Sequence, residues 1–394
     1  MEYIVTGKNG TGIQKAIDAA AAAGGGKVVL EPGIYPSGTL YLKSNIELHL
    51  EAGAVILGHP KPDMYNDFRH PGFDMVTPES SRKCLIACAD CENVAVTGQG
   101  IINGQGPEFF DRENTAPGKF FPKPAHPRPR MIQFYHCKNV YFEDITLMDS
   151  PNWTMWLIDC EDVRISRIRI RGCQQMYNND GIDIDSCRNV TVSDSFFQTG
   201  DDCLILRAIR KTPDAAAICE NVLVHNCTLD TPNQGIRMGC PSDDTIRNCK
   251  FSSLVFRGRG TGILSYHGYN YLRKNCTGNL HIHDISFDNI DIDTQAHPIR
   301  IGNEDGITLR GIERLSFRNI RIRGAKPIVL TGRAPVALED ITLQNISGTI
   351  ENNEVPAVFS NLRNLKMDNV QLTGTTSEKG VFTRRESSSW ETKF

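Results

Sequence analysis

A short phrase returns along this chain at intervals that no ordinary globular fold requires. Cys91-Glu-Asn-Val94, Cys137-Lys-Asn-Val140, Cys160-Glu-Asp-Val163, Cys187-Arg-Asn-Val190 and Cys219-Glu-Asn-Val222 each lead into a β-branched run, and the last four are spaced by 23, 27 and 32 residues. The period continues in IHDISFDNIDI from Ile282, IERLSFRNIRI from Ile312, ALEDITLQNISG from Ala337 and NLRNLKMDNVQL from Asn361. Repeats of this length mark a solenoid, in which each coil buries its apolar face against the next. The LxxLxL phrase of leucine-rich repeats is missing, and propeller blades would need four strands per unit. Short strands separated by turns fit the coils of a β-helix, with Asn or Asp supplying the sharp turn before each strand.

The expected fold is therefore all-β, a single-stranded parallel β-helix forming one domain over residues 1–394. A capping-box pattern, Thr11-Gly-Ile-Gln14, opens a short Ala-rich helix stopped by glycines, which would cap the first coil. Two stretches near 59–83 and 106–130, rich in Pro, Phe, Asp and charge, break the rhythm as loop insertions. Such loops either wall a binding groove or cover apolar surface.

A length of 394 residues does not divide a solenoid, which grows by adding coils. A net charge of −3 without a charged tail gives no reason to expect a nucleic-acid or membrane partner. No apolar run approaches the roughly 18 residues of a membrane span, and the start MEYIVTGKNG lacks a secretory layout. The expectation is a cytoplasmic protein, or a secreted one if a leader was removed. Of the 13 cysteines several recur at one position of the repeat, as in Cys137, Cys160, Cys187 and Cys219, which suits reduced apolar fillers better than zinc ligands or a disulfide framework. No metal or cofactor is expected, and the oligomeric state is not legible.

Stacking the coils by their inward aliphatics brings four segments into register: Asn179–Ile184, Asp201–Leu206, Asn233–Met238 and Gly260–Ser265. Ile182, Leu204, Ile236 and Ile263 form one inward column, and the column two places earlier holds Asp180, Asp202, Gln234 and Thr261. Clustered carboxylates repel unless one keeps a proton, and that is the arrangement glycoside hydrolysis uses. Turn aspartates, or a calcium site, are the alternatives. Asp183 and Asp185 read as solvated outward residues outside the chemistry.

The segments SPNWT at 150–154, NNDGIDIDSCRNV at 178–190 and TGDDCL at 199–204 resemble the polygalacturonases, glycoside hydrolase family 28. GTGIQKAIDAA followed by GGGKVVLEPGIY resembles the entry coil of pectin-lyase-like helices. The resemblance implies a right-handed β-helix and an inverting hydrolase. Asp201 would be the general acid, with Asp180 and Asp202 holding and deprotonating water, and Asn178 would lie at the substrate. Inversion usually sets acid and base about 6.5–9.5 Å apart.

Two departures bear on the substrate. Where the family has Gly-His-Gly, this chain reads Pro232-Asn-Gln-Gly235, so Asn233 or Gln234 replaces the histidine. Where polygalacturonases carry Arg-Ile-Lys for the galacturonate carboxylate, this chain reads Gly262-Ile-Leu264. Arg237 falls in the column of the lost lysine and is either its substitute or a surface arginine; Arg300 is a second candidate of that type. Tyr266, His267 and Tyr269 are placed at the groove edge as a sugar platform, or else close an ordinary coil. Trp153 and Trp156 are platforms or structural. The expected partner is an oligosaccharide or polysaccharide, cut by an exo-acting hydrolase whose substrate is pectin-derived or another glycoside, with plain polygalacturonate disfavoured. A uronate lyase or epimerase and a non-catalytic carbohydrate-binding solenoid are the alternatives.

Overall fold

The structure is a computed structural model describing residues 1–68, 81–212, 214–239, 241–269, 279–351 and 355–374, with two short strands at Gly380–Phe382 and Trp390–Lys393. The chain divides into two compact units, Met1–Asp201 and Asp202–Phe394. Both are built as stacks of parallel coils, the parallel β-helix that the repeat predicts, right-handed as the resemblance implies.

In the first unit, successive coils place Cys84–Ala89, Arg130–Tyr135, Met155–Ile158 and Ile182–Asp185 in one parallel ladder. A second ladder runs from Gly26–Leu30 through Glu92–Thr97 and Lys138–Glu143 to Arg188–Ser193. The repeated phrase marks the entry to this ladder. Its Asn or Asp takes the left-handed conformation, with φ of 57° at Asn93, 56° at Asn139, 55° at Asp162 and 56° at Asn189, a region that Asn and Asp enter at lower cost than other non-glycine residues. Asn93 donates its amide to Asn45 at 2.8 Å and Asn139 donates to Asn93 at 2.7 Å, so the turns are tied from coil to coil.

The helix Gly10–Ala22 buries Ile13, Ile17 and Ala20. It starts one residue before Thr11, because Asn9 accepts the Gly12 N–H and serves as the cap. Gln14, assigned to a capping box, instead donates to the Tyr41 carbonyl and accepts the Tyr41 N–H.

The second unit has its own ladders. Leu204–Arg207, Ile236–Met238, Ile263–His267, Ile299–Asn303 and Ile328–Thr331 follow one another on one face. The long strands Thr245–Gly258, His281–Thr294 and Gly311–Gly324 bend at left-handed Ser253, Asn289 and Asn319. Inside them Phe251, Phe287 and Phe317 stack with centroids 5.0 Å apart at each step.

The described cysteines are free, and most are buried. Cys88 and Cys91 form a Cys-Ala-Asp-Cys pair; the hydrogen bond from Cys88 brings the Cys91 thiol down to about 7. Among the described residues no helix is long and apolar enough to cross a membrane.

Phe287 fills the middle of the aromatic stack and is fully buried. Phe287→Ala should therefore lower unfolding stability by about 3–5 kcal/mol, with Phe287→Leu costing clearly less, as read from thermal and denaturant unfolding followed by circular dichroism.

Candidate active site

In the first unit the segment 172–179 brings the NNDG sequence against the coil end that carries Asp201. Asn179 works as a staple: its amide donates to the Cys173 carbonyl at 2.9 Å, and its side-chain oxygen accepts the Gly200 N–H at 2.8 Å. A Cβ at Gly200 would lie 2.3 Å from the Met176 carbonyl oxygen, so the residue before Asp201 must be glycine. Asn178 stands in the left-handed region with φ of 61°, and its N–H donates to Asp201 Oδ2 at 2.9 Å. Asp180 is 3% exposed and Asp201 9%. Their nearest carboxylate oxygens lie within 4.8 Å of each other.

Arg128, in the 106–130 insertion, is a residue that sequence reasoning missed. Its buried guanidinium donates to the Pro151 and Tyr177 carbonyls at 2.6 and 2.9 Å and to the Asn178 side-chain oxygen at 3.0 Å. The same insertion stacks Phe120 on Tyr177 with centroids 4.7 Å apart and donates the Phe121 N–H to Gln175. The insertion therefore braces the turn that addresses Asp201. The only local signal was an arginine held between Pro127 and Pro129. Of the 59–83 insertion, residues 69–80 lie outside the described residues.

One expectation for this unit needs correction, and one open alternative is decided. Asp183 and Asp185 are fully buried rather than solvated. They sit level with Trp156 and Ile158, and the outward side of this strand is covered. Trp153 and Trp156 are each 2% exposed and pack edge to face, with the Arg130 guanidinium over both rings at 4.9 and 4.5 Å. They hold structure rather than offering a sugar platform.

In the second unit Asp202 is fully buried. Its Oδ2 accepts from Arg237 at 2.8 Å and its Oδ1 accepts the Gln234 N–H at 3.1 Å. The Gln234 side-chain oxygen in turn accepts the Thr261 N–H at 3.1 Å, and its amide donates to Asn233. Leu204 is level with Ile236 and Ile236 with Ile263, so the column Asp202, Gln234, Thr261 follows the sequence register. Gln234, rather than Asn233, stands level with Asp202.

Arg237 is level with Leu264, as the register requires, but its guanidinium is the partner of Asp202 and its side chain is 13% exposed. It is not a surface arginine. Tyr266 points outward, half-buried, with the Arg300 guanidinium 3.9 Å from its ring centroid. Tyr269 is 59% exposed; its hydroxyl donates to the Asp305 carbonyl and its N–H to Glu304.

His267 does not join these rings at an edge. Counting from inward Ile263, alternation turns residue 267 inward, where it is 3% exposed with its Nε2 3.1 Å from the Ser265 hydroxyl. Burial pushes its pKa from 6.5 down to about 4, against a hydrogen bond with Gly239 and with added repulsion from Arg237.

Residues 72–212 match the family model for glycosyl hydrolases family 28. Over part of its length the chain is similar to polygalacturonases. It is 27% identical over 223 residues to the probable polygalacturonase At3g15720 of Arabidopsis thaliana, covering 55% of this chain and 42% of that one. It is 25% identical to the exo-poly-alpha-D-galacturonosidase of Dickeya chrysanthemi over 50% of this chain and 38% of that one. The first curated relatives are matched over 37% to 62% of their own length. The fold is shared with the hyperthermoactive exopolygalacturonase from Thermotoga maritima at a TM-score of 0.75 and 22% identity, over 98% of this chain and 94% of that one.

Two outcomes follow from this geometry. Arg237→Met leaves the Asp202 carboxylate buried without its counter-ion and should destabilise the protein by about 3–5 kcal/mol in denaturant titrations. His267 is neutral when folded and titrates at its ordinary value of 6.5 when unfolded, so between about 4 and 6.5 the unfolded chain binds the extra proton. Melting temperature should thus fall as pH drops through that window, and His267→Gln should flatten this part of the curve.

Proposed function

We propose that this chain is an O-glycosyl hydrolase acting on pectin-type oligosaccharides, with Asp180, Asp201 and Asp202 as its catalytic carboxylates. The reading is carried by Asp180 and Asp201, whose oxygens lie within 4.8 Å in a buried setting, while Asp202 follows directly in the chain. Two carboxylates that close favour a shared proton, which supplies an acid and a base from one pair. Asp201 gives its proton to the leaving glycosidic oxygen. Water attacks the anomeric carbon and passes a proton to Asp180 or Asp202, which leaves a new reducing end. Asn178 acts through its backbone N–H, which orients Asp201.

The sugar at the point of cleavage is neutral in this reading. Gly262-Ile-Leu264 offers no cation, and Arg237, the cation of that column, is already paired with Asp202. A carboxylate placed there would lack the charged donor that such a group needs when desolvated. Plain polygalacturonate is accordingly a poor substrate. Exo action is supported by the name of the Dickeya chrysanthemi relative and by the 106–130 insertion that braces the Asp201 turn.

Inversion is the stereochemical course that the family resemblance supports.

The test is reducing-end release from polygalacturonate, rhamnogalacturonan fragments and neutral plant oligosaccharides, with the first-formed anomer read by proton NMR. Asp201→Asn should cut release by about 10²–10⁴-fold, with the inverted anomer as the wild-type product. Undiminished release by that variant would remove Asp201 as the acid, and fastest release from polygalacturonate would overturn the neutral subsite.

A further inference from the structure

The first unit carries a line of thiols that the carbohydrate chemistry does not use. Glu92 is level with Lys138, Lys138 with Glu161 and Glu161 with Arg188. The cysteines that precede them, Cys91, Cys137, Cys160 and Cys187, therefore follow one another on successive rungs, about 4.8 Å apart at the usual strand spacing. Cys88 joins this line at its first rung, where its thiol hydrogen-bonds both Cys91 and Cys137. Cys88 and Cys91 also converge on one acceptor, with their sulfurs 3.8 and 4.0 Å from the Leu42 carbonyl oxygen.

Access separates the members of the line. Cys88, Cys137, Cys160 and Cys187 are buried, whereas Cys91 is partly exposed at the turn that follows Cys84–Ala89. Asp90 fixes that turn in the left-handed region, with φ of 53° and its carboxylate 2.8 Å from His136 Nδ1. The hydrogen bond from Cys88, with a second from the Ser44 hydroxyl, outweighs burial and brings the Cys91 thiol down to about 7. Much of it is then thiolate at neutral pH. Cys88 is held the other way, because its hydrogen bonds to Cys137 and Cys91 and its burial keep the proton on its sulfur. A reachable thiolate against a buried thiol is the pairing that peroxide chemistry uses, one sulfur to be oxidised and the other to close the disulfide. Cys173, the other partly exposed cysteine of this unit, is set differently: burial and then the Asp149 carboxylate push its thiol up.

We propose that Cys91 and Cys88 form a reversible dithiol that reacts with hydroperoxides. The Cys91 thiolate attacks one peroxide oxygen, the O–O bond breaks, and the departing alkoxide or hydroxide takes a proton from water. Cys91 is then a sulfenic acid. The Cys88 sulfur attacks the Cys91 sulfur, the S–OH bond breaks, and the hydroxide leaves as water with the proton that Cys88 gives up. Two electrons pass from the thiols to the peroxide, and a disulfide closes across the Asp90 turn. The inference is independent of the hydrolase reading, since the aspartates take no part in it.

The test treats the full, reduced chain with hydrogen peroxide, at a dose that leaves its circular dichroism unchanged, and follows it by intact mass and tryptic mapping. Before oxidation, iodoacetamide should modify Cys91 about 10-fold faster than Cys173 at neutral pH. Oxidised wild type should lose the mass of two hydrogens and withhold two thiols from alkylation under denaturing conditions, and dithiothreitol should restore both. The disulfide should lie within the tryptic peptide 84–112, which carries Cys88 and Cys91, rather than link it to the peptide 131–138 that holds Cys137. Cys84, in the same peptide but buried with its thiol pushed up to about 12, should stay free. Cys91→Ser should form no disulfide at this dose, and Cys88→Ser should stop at a sulfenic acid on Cys91 that dimedone captures. Any of four results overturns the proposal: a disulfide formed as readily by Cys91→Ser, a link to Cys137, first oxidation at Cys173, or a wild type that stays unchanged or stops at the sulfenic acid. Should Cys88→Ser fail to fold, the wild-type peptide map decides alone.

Discussion

Parallel pairing of one coil on the next, at a rung spacing of about 4.8 Å, is the constraint from which the other features follow. It forces residues at equivalent positions into columns, so each must tolerate its own neighbour one rung away. Apolar columns do so by stacking, as Phe251, Phe287 and Phe317 do. Turn columns do so by Asn side chains that are donor and acceptor at once, each giving an amide to the previous carbonyl. A column of like charges has no such solution and must be interrupted or neutralised.

The aspartates sit where that rule is strained. Asp202 has Gln234 level with it rather than another acid, and its charge is met by Arg237 three residues further along. Asp180 and Asp201 are held close by devices that have nothing to do with charge: the Asn179 staple, the glycine before Asp201, and the Arg128 brace on the Asn178 turn. The turn and its braces thus offset the cost of crowding the two carboxylates.

Features that repeat with the rung were legible in the sequence. The Cys-x-Asn-Val phrase located the turns, the inward aliphatics set the register, and both the Asp202–Gln234 and the Arg237–Leu264 levels follow from it. His267 was misplaced although the same period of two, counted from Ile263, turns it inward; the aromatic cluster around it outweighed parity. Asp183 and Asp185 were misread for a different reason. Parity places them outward, and nothing local says that this outward face is covered. Arg128 was invisible because its partners are carbonyls and an amide far off in sequence, contacts that no pattern within a loop encodes.

The same register governs which cations of a column are captured by the protein itself. In a column, a cation one rung from a buried carboxylate is drawn into an ion pair, as Arg237 is with Asp202, and its donors serve the protein first. A cation two rungs on escapes that capture. Arg300 rests on an aromatic ring instead, which holds the guanidinium flat without occupying its edge. Distance along the solenoid, rather than identity at one rung, decides which cation is captured.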